Sequence, residues 1–454
     1  MKLYFYGGAG EVTGVKYLLE TKAGAKKTIK ILVDCGMLQG GPREFEENSK
    51  DFSFDPKSVD YLFLTHAHID HVGLVPKLYR DGFRGEILTT EPTKDLMGLV
   101  LRDSQQILEK EFRKKGGDVL YSRKNVEQVL MLVKTVKYGR KRKLEGNVSF
   151  RFNDAGHMLG SAIIEIWAEK KKIVFSGDLG NSPSPLLKPP TKIKDADYVL
   201  VESTYGDRNH ENRDERKGAF ENVIEETYKN KGVLMIPAFA VERTQELLCE
   251  LNELVANCRI PQMPIFIDSP LAIKATEIYK KYPDYFNKDA KSFISKGHDL
   301  FKFSGLKYTE QVEDSKAINI VSPPKIIIAG SGMSAGGRIV FHEKMYLPDS
   351  RNCLLITNFQ VKGSPGRRIL EGAKDINILD ENVPIKAKIA TIQGYSSHAD
   401  RKALYNWLDN FNKPIKQIWA VQGEEEPAKS LVQLIKDHLG ISASVPRSGE
   451  TVEL

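Results

Sequence analysis

At 454 residues the chain is too long for one hydrophobic core, because single cores stop growing at about 250–300 residues, so two domains are expected. Its 41% hydrophobic and 28% charged residues are the composition of a soluble globular protein, and no apolar run reaches membrane-spanning length. The net charge of +7 is mild: it suits an anionic partner such as nucleic acid, and an ordinary basic surface equally well.

The four cysteines, Cys35, Cys249, Cys258 and Cys353, form no C-x-x-C pair. That fits a reducing compartment and argues against a disulfide framework or a thiolate zinc site. The N-terminus begins directly as a strand with no signal peptide, so a cytoplasmic protein without membrane contact is expected.

Gly7, Gly8, Gly10 and Gly14 follow the first strand. Their spacing is not G-x-G-x-x-G, and residues 15–20 read as a strand rather than a helix. A glycine turn fits better than a dinucleotide site, either a plain hairpin or a turn that lets backbone pass close to something. Strands follow at 29–33 and 61–64. Asp34 ends the first of them, as a turn former, a cap, or the group that orients a metal-binding histidine.

The next residues are His66-Ala67-His68-Ile69-Asp70-His71. Four of these six can bind a metal, and three of the chain's nine histidines fall here. Imidazole and carboxylate suit zinc. One catalytic zinc takes about three protein ligands, so the surplus points to two metals side by side. The loop follows a buried strand, where open α/β sheets place their chemistry.

Residues 93–136 read as mainly helical. Arg113-Lys114-Lys115 and Arg140-Lys141-Arg142-Lys143 are basic runs, either solvated faces or RNA contacts. No internal repeat appears. A strand at 148–153 then delivers His157, strands at 162–167 and 172–175 lead to Asp178, and a strand at 198–201 delivers Glu202. Each ionisable residue sits among small residues at a strand end, which predicts one shared site.

Composition changes at 208–217. Helices at 219–228, 243–255 and 272–282 alternate with strands at 232–236, 264–267 and 325–329, which predicts a parallel sheet in a second domain. Ser331, Gly332, Met333, Ser334, Gly336, Gly337 and Arg338 follow the last strand and open a helix. They are candidates for holding a phosphate, with a tight turn as the alternative. His342 shares a helix face with Arg338. The chain then returns to the first domain through a strand at 387–392, which delivers His398. Asp400 caps the helix that follows. Glu424, Glu425 and Glu426 favour a helix N-terminus rather than a metal.

Together, Asp34, His66-x-His68-x-Asp70-His71, His157, Asp178, Glu202, His342 and His398 resemble the motifs of the metallo-β-lactamase fold in its β-CASP branch of nucleic-acid-processing nucleases. The strings Ser203-Thr204-Tyr205-Gly206-Asp207-Arg208, Asp268-Ser269-Pro270 and Ser397-His398-Ala399-Asp400 carry the same resemblance. It is nearest to the endonuclease subunit of the cleavage and polyadenylation specificity factor and its stand-alone prokaryotic homologues. It implies an α/β fold: an αββα sandwich from residues 1–207 and 386–454, with a β-CASP α/β domain inserted at 208–385.

By that resemblance one zinc takes His66, His68 and His157, the other takes Asp70, His71 and His398, and Asp178 bridges them. Asp34 and Glu202 stand behind these ligands. The catalytic set is Asp70, His398, Glu202 and His342, with His342 held by Glu202 and protonating the leaving oxygen. The implied reaction is hydrolysis of single-stranded RNA to 3′-hydroxyl and 5′-phosphate ends, internally or from the 5′ end. The assembly implied is a homodimer or an RNA-processing complex. Gln422 stands where the family has His, Glu242 where it has Gly, and Asn358-Phe359 where it has Gly-Tyr. None of these is an expected ligand, so the departures point to substrate preference. The alternatives are a small-ester hydrolase on the same core, against which the inserted domain speaks, and a non-catalytic scaffold, against which the full ligand set speaks.

Overall fold

The computed structural model describes residues 1–25, 27–39, 44–115 and 119–454. Two sheets of seven strands each face one another. The first runs, in order, Thr451–Glu453, Lys2–Gly7, Lys16–Lys22, Thr28–Val33, Tyr61–Phe63, Glu86–Thr89 and Val133–Thr135. The second runs Ala443–Ser444, Gln417–Val421, Tyr198–Glu202, Lys171–Phe175, Ala162–Ala168, Ser149–Asp154 and Arg142–Lys143.

Their inner faces share one core, in which Leu3, Phe5, Ile31, Val33 and Phe63 meet Phe150, Phe152, Ile164, Phe175 and Trp419. Phe63 and Phe150 pack at a tilt with 4.9 Å between centroids, and Phe5 and Trp419 likewise at 5.8 Å. Such ring pairs add about 0.5–1.5 kcal/mol each beyond burial. Helices Glu91–Lys115 and Arg123–Leu132 cover the outer face of the first sheet, and helices Arg401–Leu408 and Glu425–Leu439 that of the second. This is the expected αββα sandwich.

A third sheet of six strands interrupts it, in the order Leu306–Tyr308, Ile265–Asp268, Lys325–Ala329, Val233–Pro237, Cys353–Ile356 and Lys388–Thr391. Every pair in it is parallel. Its four inner strands are nearly continuous apolar runs, as strands covered on both faces require.

Two details differ from the sequence reading. The segment 93–136 ends in a strand, Val133–Thr135, which pairs with Glu86–Thr89. Its three residues are too few to show a period of two. The strand at 388–391 pairs with Cys353–Ile356, so the chain returns to the sandwich only after Thr391, not at 386. Its Lys-Ile-Ala-Thr pattern fits an edge of either sheet. Among the described residues, no helix is long and apolar enough to cross a membrane.

The turn after Thr28–Val33 fixes the histidine loop from below. The amides of Val15, Cys35 and Met37 donate to the carbonyls of Asp70, His71 and Ile69 at 2.8–3.0 Å. Gly36 lies so close beneath that a Cβ there would stand 1.5 Å from the Asp70 carbonyl oxygen. Gly36→Ala is therefore expected to lift the loop and cost about 1–3 kcal/mol of stability, the usual range for overpacking, measured by urea unfolding. Unchanged stability would show that the loop moves freely.

A candidate metal centre between the sheets

The candidate ligands lie in the segments that follow strands. Tyr61–Phe63 leads to the loop holding His66 and His68, and the short helix Ile69–Val72 carries Asp70 and His71. Ser149–Asp154 leads to His157, Lys171–Phe175 to Asp178, and Tyr198–Glu202 ends on Glu202. His398 follows the third sheet's last strand and is tied back to the sandwich, because its neighbour Ala399 donates to the Leu179 carbonyl at 2.8 Å.

His66 Nε2 and His157 Nε2 lie 3.1 and 3.2 Å from His68 Nδ1. Both also approach Asp178 Oδ2, at 3.5 and 3.4 Å. These four groups offer ligand atoms all within 4.8 Å of one another, as do Asp178, Glu202 and His398. The second oxygen of Asp178 faces His71 Nε2 at 3.3 Å, and Asp70 lies 3.8 Å from that nitrogen. Asp178 thus has His66, His157 and, at 3.8 Å, His398 Nδ1 on Oδ2, and His71 on Oδ1.

The states of His66, His68, His157 and Asp178 suit a divalent cation, which binds neutral imidazole and ionised carboxylate. Against burial, by contrast, Asp178, Asp34 and Asp70 carry His71 well above the usual histidine range. Burial drives His66 and His157 well below the usual histidine range, and His68 down to about 4. Burial alone would raise the Asp178 carboxyl, but His71, His66, His398 and His157 around it hold it well below the carboxylate range. The donor set of His66, His68, His157 and Asp178 fits a divalent metal ion.

The supporting carboxylates each hold one ring. Asp34 adopts φ of 59°, a left-handed conformation that Asp tolerates better than most. Its Oδ2 accepts from the Thr65 hydroxyl and lies 2.7 Å from His71 Nδ1, while Oδ1 accepts from the Thr65 amide at 2.8 Å. His71 is left with Nε2 directed at Asp178. Glu202 holds His398: Oε2 lies 3.0 Å from Nδ1, which is also 3.8 Å from Asp178 Oδ2, and Oε1 accepts from the Leu179 amide at 2.6 Å. Burial opposes a charge on His398, but Glu202 and Asp178 beside it carry the ring up to about 9.

Glu202 therefore serves His398, not His342, contrary to the expectation from sequence. The partner of His342 is Asp268, 2.7 Å from its Nε2. Against burial, hydrogen bonds from His342, Ser315, Arg338 and Thr309 hold the Asp268 carboxyl down at about 2. His342 is buried and is not among the described residues that line the cavity at the metal centre.

The glycine-rich loop also departs from expectation. Arg338 spends its guanidinium on Asp268 at 2.7 Å and on the Thr309 and Glu310 carbonyls. Ser331 and Ser334 give their amides to the Gly336 and Ser331 carbonyls, within the turn itself. Of Ser331, Gly332, Met333, Ser334, Gly336, Gly337 and Arg338, only Met333 lines the cavity.

Two residues not expected from sequence stand at the centre. Gln422, with φ of 51°, donates from Nε2 to Asp178 Oδ1 at 2.6 Å and lies 3.3 Å from His71 Nε2. Its place in a string that often carries His was the available signal. Arg243 is the only lysine or arginine among the described residues lining the cavity of about 190 Å³. It donates to Ser397 Oγ at 2.9 Å, next to His398, and to Glu246 and Asn358. Phe239, Val241, Leu271 and Phe359 make the rest of that cavity largely apolar.

Three family descriptions match the chain: "Metallo-beta-lactamase superfamily" over residues 17–211, "Beta-Casp domain" over 244–369 and "Zn-dependent metallo-hydrolase RNA specificity domain" over 382–446. A ribonuclease of Thermus thermophilus is 38% identical over 452 residues, the full length of both chains. An RNase J-like protein of Methanocaldococcus jannaschii is 32% identical over 451 residues, 98% of each chain. A transcription termination factor of Methanosarcina mazei is 30% identical over 465 residues, 99% of this chain and 71% of its own. With the sandwich, the interrupting parallel sheet and the buried histidine and aspartate centre, these matches establish that the chain belongs to the metallo-β-lactamase superfamily, in its β-CASP branch of metal-dependent ribonucleases.

Proposed function

We propose that the protein hydrolyses phosphodiester bonds of single-stranded RNA at a pair of zinc ions, leaving 3′-hydroxyl and 5′-phosphate ends. The observation that carries this reading is the position of Asp178, with one oxygen facing His66 and His157 and the other facing His71. His66, His68 and His157 would hold one ion, Asp70, His71 and His398 the other, and Asp178 both. Two such ions lower the pKa of water to near 7 and neutralise charge on a phosphoryl group.

The chain's own residues do the rest. Asp34 and Glu202 fix the rings of His71 and His398, so neither has to reorganise as charge develops. Arg243 sets Ser397 beside His398 and brings a cation to the cavity wall. Phe239 and Phe359 offer apolar faces on which a base can lie. A small ester needs none of this, which favours the nuclease over an ester hydrolase. The ribonuclease and RNase J-like relatives at full length support RNA as the substrate.

Three measurements test the reading. Asp178→Ala is expected to retain well under two zincs per chain by elemental analysis and to lose cleavage; two tightly held zincs would reject the bridging role. Gln422→Ala removes the amide on Asp178 and is expected to weaken metal binding about 10–100-fold in a calorimetric titration, the usual loss for a group behind a ligand. An unchanged isotherm would make Gln422 a bystander. A circular single-stranded RNA is expected to be opened by the wild-type protein. Circles that survive while linear strands are degraded would show that cleavage starts from a free end.

A further inference from the structure

A second groove, of about 430 Å³, lies on the same edge of the first sheet as the histidine loop. Strands Thr28–Val33, Tyr61–Phe63, Glu86–Thr89 and Val133–Thr135 are parallel, so their carboxyl ends share that edge. The first two end in Asp34 and the histidine loop. The last two run into Glu91 and into Thr135, Val136 and Lys137, which line the groove. Neighbouring strands lie about 4.8 Å apart, so the strand end feeding the groove stands roughly 10 Å to the side of the one feeding the metal loop.

The groove is basic. Lys137, Arg140 and Arg142 come from the crossover between the two sheets, and Lys281 from the end of helix Pro270–Lys281 in the interrupting domain. Arg140 and Arg142 belong to the second basic run of the sequence. The side chains of the first, Arg113-Lys114-Lys115, lie outside the described residues. All four groove cations are exposed, and none has a carboxylate partner among the described residues. Arg142 makes one long bond, 3.4 Å, to the Thr135 carbonyl. Two acids, Glu91 and Asp284, also line the groove, and Asp284 lies 3.5 Å from Lys291. Four cations against two carboxylates leave a positive surface.

Tyr282 and Tyr285 stand between these cations, 6.0 Å apart and edge to face. Cations spread along an open groove, with no buried cage, fit a chain of phosphates better than one small anion. Rings among them fit unstacked bases. The groove is also coupled to the metal centre. The Tyr138 hydroxyl, whose ring lies edge to face 5.3 Å from Tyr285, donates to the Ser161 carbonyl at 2.6 Å. Ser161 Oγ accepts from the His157 amide at 3.1 Å.

We infer that this groove is a second contact for single-stranded RNA, holding backbone phosphates a few nucleotides from the bond that is cut. The inference rests on the ribonuclease reading above. It assigns to Lys137, Arg140 and Lys281 a share of affinity and none of the chemistry.

The test compares the wild-type holoenzyme with the triple variant Lys137→Gln, Arg140→Gln, Lys281→Gln. Binding of a long, labelled phosphorothioate single-stranded RNA is followed by anisotropy across salt concentrations. Hydrolysis of the chromogenic diester bis(p-nitrophenyl) phosphate is followed alongside. The expected result is about tenfold weaker RNA binding, and a log–log salt slope lower by about 2, from three lost phosphate contacts at about 0.7 each. Diester hydrolysis is expected to be unchanged. Unchanged affinity and slope for RNA overturn the inference, including the case in which an acidic peptide binds the groove instead. An equal loss on the small diester also overturns it, because the residues would then act through the fold. If the wild type binds RNA with the groove-dependent slope but never cuts it, the ribonuclease reading fails while the groove stands. If it cuts RNA and the triple variant binds as well as wild type, the reverse holds.

Discussion

A buried carboxylate among imidazoles is the constraint on which the structure depends. Asp178 is almost without solvent and has His66, His157, His71 and His398 within 3.8 Å of its oxygens. Such a concentration of donors is costly in a folded protein unless a cation gathers it. Four chain segments far apart in sequence must end at the same place for it to exist. Two seven-stranded sheets face to face, with their strand ends aligned, provide that place.

The groups behind the ligands divide the work. Asp34 is held by the Thr65 amide and hydroxyl before it meets His71, and Glu202 by the Leu179 amide before it meets His398. Each carboxylate is fixed to backbone on one side and fixes a ring on the other. The ring nitrogens that face the centre are thereby chosen by the fold. The interrupting domain closes the site from outside. Glu246 accepts from Ser184 of the sandwich and also from Arg243, whose other arm reaches Ser397. These bonds tie the segment that carries His398 to both domains.

Much of this was legible in the residues. The histidine loop follows an apolar run, and His157, Asp178 and His398 sit among glycines or serines, so strand, turn and donor could be read together. The parallel sheet followed from the alternation of helix and strand, and the sandwich from the family resemblance. What escaped was set by contacts distant in sequence. Gln422 lies 244 positions from Asp178, and no local signal says that its amide reaches there. Arg243 looks like an ordinary first-turn residue until Ser397, 154 positions away, is placed beside it. The strand Val133–Thr135 is too short to read, and Lys388–Thr391 joined the third sheet because only pairing partners distinguish one edge from another.

The position of His342 shows the same limit and carries a chemical consequence. Sequence places it on a helix that opens after a glycine-rich turn, which suggested a proton donor held by Glu202. The structure gives Glu202 to His398 and surrounds Asp268 with His342, Arg338, Ser315 and Thr309. Four donors on one buried carboxylate make a closed network whose geometry is satisfied internally. Arg338 joins it to the backbone at Thr309 and Glu310, so the turn, the helix and the end of strand Ile265–Asp268 are held as one piece. Met333, on that same turn, faces the metal cavity. His342 and Arg338 thus fix the turn that carries Met333 through their shared bond to Asp268.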